Sequence, residues 1–437
     1  VLDKSNAILA ELDTSVIDAD ENRQIGLVRK ECLERGIVNI AAVAARYHEV
    51  KSQQSNSGVW CYDNFTENGS NSSGLVKSDA HTVERDCIIW PINHYLGLNR
   101  HPKVVDAASR ALQQFGTGCG TSAMSGGHSS LHKEAERRLA IWLGKETALL
   151  FPTGYSANVG AISGLAKGPS CFILFDRECH ASIIDGIKLS GAKFLPFRHN
   201  DASDLARKLE KFGGKYENVF VIVESVYSMS GEESCLQAIC DLKSRHDFLL
   251  FVDEAHSFGL HSERTLCTKL GLTDQVDFVM TTLSKSTASI GGVVATSRAF
   301  KTFLQVEANA YLFQAAIPPA DVATIIAAMD VIEETPKLLQ SLWSKVSYMR
   351  GKLSELGFDI GQGTSPIIPV FIRDSDTLLR MGQDMFNEGI FTTSVAYPVV
   401  KHSDVRFRFI LNDSHSYAQI DRTIYVLEKL GRKYGLM

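Results

Sequence analysis

The chain has 437 residues, 44% hydrophobic and 22% charged, an ordinary globular composition with room for two or three domains. A net charge of -5 and a pI near 6.2 argue against a nucleic-acid binder driven by phosphate neutralisation, and no apolar run approaches the roughly 18–20 residues of a membrane span. Nine cysteines without a C-x-x-C pair read as free thiols in a reducing compartment, so the protein is expected to be cytoplasmic.

The opening stretch, "VLDKSNAILAELD", has neither a basic start nor an apolar core and does not read as a signal peptide. It also lacks an initiator Met, so the chain is expected to start after a disordered leader or to be cut from a longer polypeptide. Residues 1–50 carry helical periodicity, as in "NRQIGLVRKECLERGI". Residues 51–80 are polar and turn-rich, which predicts a long loop or insertion. Asn64, Asn68 and Asn71 each open an N-x-S/T sequon there, and without a signal peptide they read as ordinary loop residues.

From about residue 100 the pattern alternates. Helical stretches such as "HPKVVDAASRALQQF" and "SLHKEAERRLAIWLG" give way to "TALLF", "CFILF", "KFLPF", "VFVIVES", "FLLFVDEA" and "DFVMTT". Short apolar runs separated by helices predict an α/β fold with a mostly parallel, helix-covered sheet. Near 312–320 "LFQAAIPPA" breaks the rhythm, and a long amphipathic helix is predicted over roughly 320–356. The remainder reads as a smaller α+β domain. The predicted organisation is an N-terminal helical segment and polar loop (1–97), a large domain (98–312) and a small C-terminal domain (313–437).

Ligands gather at the carboxyl ends of parallel strands. Here "FLLFVDEAHSFG" ends on Asp253 with His256 beyond it, and "VFVIVESVYSMSG" ends on Glu224 with Ser228 beyond. "CFILFDRECHASIIDG" ends on Asp176 before His180, and "DFVMTTLSK" on Thr282 before Lys285. Each residue alone has a bland reading as a cap, a core histidine or a surface lysine. Together they suit pyridoxal 5'-phosphate (PLP) chemistry. A lysine amine needs a carbonyl partner, and a pyridine nitrogen kept protonated needs a buried carboxylate such as Asp253. His180, His256 and Ser228 suit the ring face and phenolic oxygen. The turn Thr153–Ser156, opening a helix, suits a phosphate together with Thr282.

These segments resemble the α-oxoamine synthases, a branch of the fold-type I PLP enzymes, over about residues 90–437. The shared marks are "NHYLGL" (93–98), "TGYSAN" (153–158), "DRECHASIIDG" (176–186), "SVYSMSGE" (225–232), "VDEAHSFG" (252–259), "TTLSK" (281–285) and "VRFRFILNDSH" (405–415). The resemblance implies a large PLP-binding domain with a smaller C-terminal α+β domain. It makes Lys285 the Schiff-base lysine and general base, and Asp253 the partner of the pyridinium. It stacks His180 on the ring and places Ser228 and His256 on the phenolic oxygen. Gly154, Tyr155 and Thr282 fall at the phosphate turn. Arg408, rather than its neighbour Arg406, would hold the substrate carboxylate, and Asn93 would line the amino-acid site. The implied reaction is a decarboxylative condensation of an amino acid with an acyl thioester, presented by CoA or an acyl-carrier protein, in a homodimer. Another PLP reaction on the same fold, an aminotransferase or lyase, is the alternative, and a non-catalytic partner subunit a third reading.

Two segments depart from the family pattern. "GTSAMSG" places Ser122 where an arginine is expected, and "FQA" at 313–315 replaces a Ser/Thr-bearing segment. Both leave the acyl donor open, and the long lead fits a domain excised from behind a carrier protein. "GTGCGT" (116–121) follows a helix and not a strand, the wrong context for a dinucleotide loop. "HSSLH" (128–132) lacks a third ligand, so no metal is expected, and no G-x-S-x-G elbow supports a hydrolase.

Overall fold

The computed structural model describes residues 25–56, 62–78, 81–397 and 399–437. The expectations placed on the first 24 residues lie outside the described residues. In chain order the strands are β1 (Asn64–Thr66), β2 (Ser73–Ser78), β3 (His81–Ile89), β4 (Thr147–Phe151), β5 (Cys171–Asp176), β6 (Lys193–Phe197), β7 (Asn218–Glu224), β8 (Leu249–Asp253), β9 (Phe278–Thr282), β10 (Gly292–Thr296), β11 (Ile367–Phe371), β12 (Ile390–Phe391), β13 (Thr393–Val395) and β14 (Arg406–Ile410).

Among the described residues the central sheet has the order β4-β10-β9-β8-β7-β5-β6. Strands β9, β8, β7, β5 and β6 run parallel, and β10 is antiparallel to both of its neighbours. All six apolar runs of this region predicted as strands are strands. β10 is the one missed: it follows β9 without a crossover helix, so it can only return antiparallel. Every residue of β5 and β9 is buried, as expected for strands covered on both faces. Alternate residues feed two apolar cores. Leu174, Val221, Val252 and Val279 face one, and Ile173, Ile222, Phe251 and Met280 face the other.

The single helix predicted over 320–356 is two, Pro319–Glu334 and Lys337–Glu355. Pro336 falls at the break, where a missing N–H and a ring clash stop the ladder. The first of the pair packs against the helix Pro102–Phe115. Pro319 sits at its first turn, where no N–H is needed.

Residues 51–80 also correct the sequence reading. The helix Ile40–Asn56 runs into them, and β1 and β2 follow as an antiparallel pair. Asn68-Gly69, with Gly69 at φ +68°, closes the turn between the two strands. β3 completes this antiparallel set, and β12 joins β3 in parallel, so the region is welded to the C-terminal part of the chain. There β11, β14 and β13 form a separate antiparallel sheet. Buried Trp90 ties the two together. Its carbonyl accepts from Ile410 N at 3.1 Å, its indole donates to Thr423 Oγ1 at 3.2 Å, and its ring stacks on His415 at 4.1 Å. The eight described cysteines are free thiols. No helix among the described residues is long and apolar enough to cross a membrane.

Candidate active site

Asp253 and Glu224 end adjacent parallel strands and stand opposite each other in register. Asp253 is buried and its carboxylate is held on both oxygens. Ala255 N donates to Oδ1 at 2.9 Å, and Asn158 Nδ2, from the helix Gly154–Leu165, donates to Oδ2 at 2.8 Å. The same Asn158 nitrogen donates to Ser182 Oγ at 2.9 Å. Glu224 accepts from the backbone N–H of His180, and burial beside Asp253 pushes its carboxyl upward.

Lys285 leaves β9 through a tight loop and lies with Nζ 2.8 Å from His256 Nε2. Burial lowers the amine to about 8, although the Asp253 and Glu224 carboxylates pull it back up. At neutral pH an ordinary lysine is a free amine in roughly one molecule in a few thousand; this one is poised to be neutral far more often. The other ring nitrogen of His256, Nδ1, lies 2.6 Å from Tyr95 Oη. Burial, reinforced by the neighbouring Lys285 and Arg408, keeps His256 well below the usual histidine range.

The helix Gly154–Leu165 begins at this edge. Thr153 caps it through Oγ1, which accepts from Ser156 N at 3.0 Å. A Cβ on Gly154 would come within 2.7 Å of Thr282 Oγ1, so only glycine lets the helix start approach that hydroxyl. Tyr155 is half exposed, and its hydroxyl donates to Asp185. His180 caps the helix Ala181–Ser190, its Nδ1 accepting from Ser182 N at 3.3 Å, which fixes its ring. Gly154, Tyr155, His180, Asp253, His256, Thr282 and Lys285 all line one cavity of about 340 Å³.

Ser228, Arg408 and Asn93 are not among the residues that line this cavity. Ser228 gives its backbone carbonyl to Arg408 Nη1 at 3.1 Å. Arg408 faces no carboxylate among the described residues; its Nε is buried without a partner. Its charge nevertheless reaches Lys285, His256 and His180. Arg406, two residues away, is satisfied elsewhere: Nε donates to Asp404 O at 2.7 Å and the guanidinium lies 4.2 Å over the Phe371 ring. Asn93 Oδ1 is a buried acceptor with no partner among the described residues.

Comparison with known proteins fits this geometry. Residues 85–424 match the family of class I and II aminotransferases. The chain is 37% identical over 367 residues to a serine palmitoyltransferase of Bacteriovorax stolpii, covering 83% of this chain and 87% of that protein. An 8-amino-7-oxononanoate synthase of Thermoanaerobacter pseudethanolicus is 34% identical, covering 79% and 88%. The solved serine palmitoyltransferase of S. paucimobilis, with bound PLP–myriocin aldimine, superposes with a TM-score of 0.84 at 28% identity, over 89% of this chain and 98% of that one. The chain belongs to the α-oxoamine synthases.

This α-oxoamine synthase is therefore a PLP-dependent acyltransferase. The residues present fit the cofactor on observations of their own. A depressed amine and a buried carboxylate line one cavity, and a helix N-terminus with an adjacent hydroxyl opens into it. Sequence reasoning placed Glu224 at a strand end without giving it a role, and missed Tyr95, Asn158 and Ser182 as members of the site. Tyr95, Asn158 and Ser182 lie inside segments already quoted for the resemblance, but no local pattern says what their side chains reach.

The two departures from the family pattern prove to be one place. Ser122 and Ala315 pair across an isolated antiparallel bridge, and Ala316 N donates to Thr121 O at 3.0 Å. "HSSLH" is a helix start: Ser129 N donates to His132 Nδ1 at 3.2 Å, closing the cap.

Proposed function

We propose that this α-oxoamine synthase condenses an amino acid carried on Arg408 with an acyl thioester, releasing CO2 and free thiol and leaving an α-amino ketone. The observation that carries the reading is a Lys285 amine brought down to about 8 by burial, with a buried, carboxylate-free Arg408 guanidinium close enough for its charge to act on it. When bound, the cofactor supplies an aldehyde for an amine and a protonated ring that accepts the electron pair of a carbanion.

Each residue then has a task its surroundings support. Asp253, held on both oxygens, keeps a proton at the ring nitrogen. His180 covers one ring face, while His256 and the Ser228 hydroxyl serve the phenolic oxygen. Gly154 and Tyr155 offer backbone N–H groups, and Thr282 a hydroxyl, to the phosphate. Arg408 takes the substrate carboxylate in a two-pronged contact and Asn93 orients the amino acid. Lys285, brought down to about 8 by burial, removes the proton at the substrate α-carbon from its neutral form. Holding the carboxylate would fix how the α-carbon is presented, and orientation selects the bond broken.

The enzyme works as a cytoplasmic homodimer on this reading, with a large unit over 98–312 and a smaller one over 313–437. Exposed Phe313 and Met124, which flank the Ser122–Ala315 bridge in sequence, support a subunit contact there. Serine with a palmitoyl thioester is the first substrate pair to test, because relatives carry that name. Purified chain with PLP is titrated with single amino acids while absorbance is followed. CO2 and thiol are then measured with acyl-CoA or acyl-carrier protein. A Lys285-dependent visible band and stoichiometric CO2 and thiol support the reading. Keto acid or ammonia in place of thiol would assign an aminotransferase or lyase reaction instead.

A further inference from the structure

The contact between Tyr95 and His256 carries a consequence for the proton at the lysine. We propose that Tyr95 is a positioning residue: its phenol donates to His256 Nδ1, so the imidazole proton sits on Nε2, the nitrogen aimed at Lys285. The role in catalysis rests on the function proposed above; the tautomer itself does not.

With Lys285 as the free amine, which has a lone pair to accept with, the geometry leaves one arrangement. Tyr95 Oη lies 2.6 Å from His256 Nδ1, and Lys285 Nζ lies 2.8 Å from Nε2. Tyr95 is 1% exposed, and its hydroxyl bonds to no other acceptor among the described residues. If Nδ1 carried the proton and donated to Tyr95, the phenol O–H would be buried with nowhere to point. Buried donors are rarely left so. A doubly protonated ring is opposed by burial and by the Arg408 charge that faces it. Burial also keeps the phenol protonated and therefore a donor. His256 thus presents Nε2–H, able to donate to a neutral amine or to an acceptor oxygen placed there.

Tyr95 is held firmly enough to impose this. Its N–H donates to Asn93 O, and its carbonyl accepts from Asp413 N, each at 2.8 Å. Two residues on, Gly97 adopts φ +63°, and a Cβ there would collide with Ser414 Oγ at 2.2 Å. The phenol therefore links the loop after β14 to the end of β8.

The test is made on the full chain, with and without PLP. With [15N]histidine labelling and no PLP, at pH 9 where the Lys285 amine is mostly free, the His256 resonances are assigned by their loss in His256→Asn. A wild-type pattern of protonated Nε2 and bare Nδ1 is expected, collapsing towards a tautomer mixture in Tyr95→Phe. A protonated Nδ1 in the wild type overturns the proposal, and that reading needs no variant to fold. With PLP, the visible band of Tyr95→Phe should titrate with a midpoint at least about half a pH unit away from wild type. An unchanged midpoint would overturn the positioning role. Absence of any Lys285-dependent band would defeat the proposed function instead, leaving the tautomer result to stand by itself.

Discussion

Asn158 Nδ2 lies 2.8 Å from Asp253 Oδ2, so a side chain from the helix after β4 steadies the carboxylate at the end of β8. A buried hydrogen bond to a charged group is worth about 1.5–3 kcal/mol. Asn158→Ala should raise the PLP dissociation constant roughly 10-fold or more by that figure. Asp253→Asn, which removes the charge itself, should weaken binding further. Equilibrium titration of the visible band measures both. If Asn158→Ala binds PLP as wild type does, Asp253 needs no support from that helix.

Lys285 gives a pH signature. Its folded value of about 8 lies below that of an ordinary lysine. Only the neutral amine attacks an aldehyde, so PLP capture should accelerate as pH rises, with a midpoint near 8 and not above 10. The same shift bears on stability. The unfolded chain binds more protons than the folded one between about 8 and 10.4, so the penalty for burying Lys285 is complete below that window and fades as pH rises across it. Stopped-flow absorbance reads the capture rate, and a midpoint above 10 would show an unperturbed amine.

Arg408 and Arg406 can be separated kinetically. Losing one partner of a buried charge pair costs about 2–5 kcal/mol. Arg408→Ala should therefore raise KM for the amino acid by roughly 30-fold to several thousand-fold. Arg408→Lys should recover only part of this, because an ammonium lacks the planar fork. Arg406→Ala should leave KM within about threefold, a surface-like effect on binding, while lowering stability through lost packing on Phe371. Equal effects from the two arginines would defeat the assignment.

His199 contributes stability with the opposite pH sense. Burial opposes its positive charge, but Asp176 at 2.9 Å and Glu232 at 3.3 Å outweigh that and hold the ring up at about 9. The folded value lies above the unfolded 6.5, so the stabilisation is fully present below pH 6.5 and lost as pH rises through 9. After allowance for screening, His199→Gln should cost about 1–2 kcal/mol at pH 6 and little at pH 10. Urea unfolding at the two pH values measures the difference; a pH-independent cost would mean packing and not charge.

Much of this protein was legible without coordinates. The apolar runs that became β4 through β9 announce themselves by length and by the helices between them, and parallel strands must deliver their last residues to one edge. That is why Asp253, His180, His256, Thr282 and Lys285 could be named from local pattern, and why they line one cavity. Periodicity records burial and direction along a strand, and those are local properties. It does not record partners. Arg406 and Arg408 occupy the same face of β14, two residues apart, and nothing in "RFRF" tells the packed arginine from the one left without a carboxylate. Tyr95 and His256 are 161 residues apart in the chain, and they meet because the tertiary fold, with the loop after β14 bonded to Tyr95, brings the "NHYLGL" segment to the end of β8. The reversal of β10, the hairpin hidden in a polar stretch and the meeting of Ser122 with Ala315 have the same cause. Strand order and helix placement, decided by burial of the whole core, choose which distant groups become neighbours.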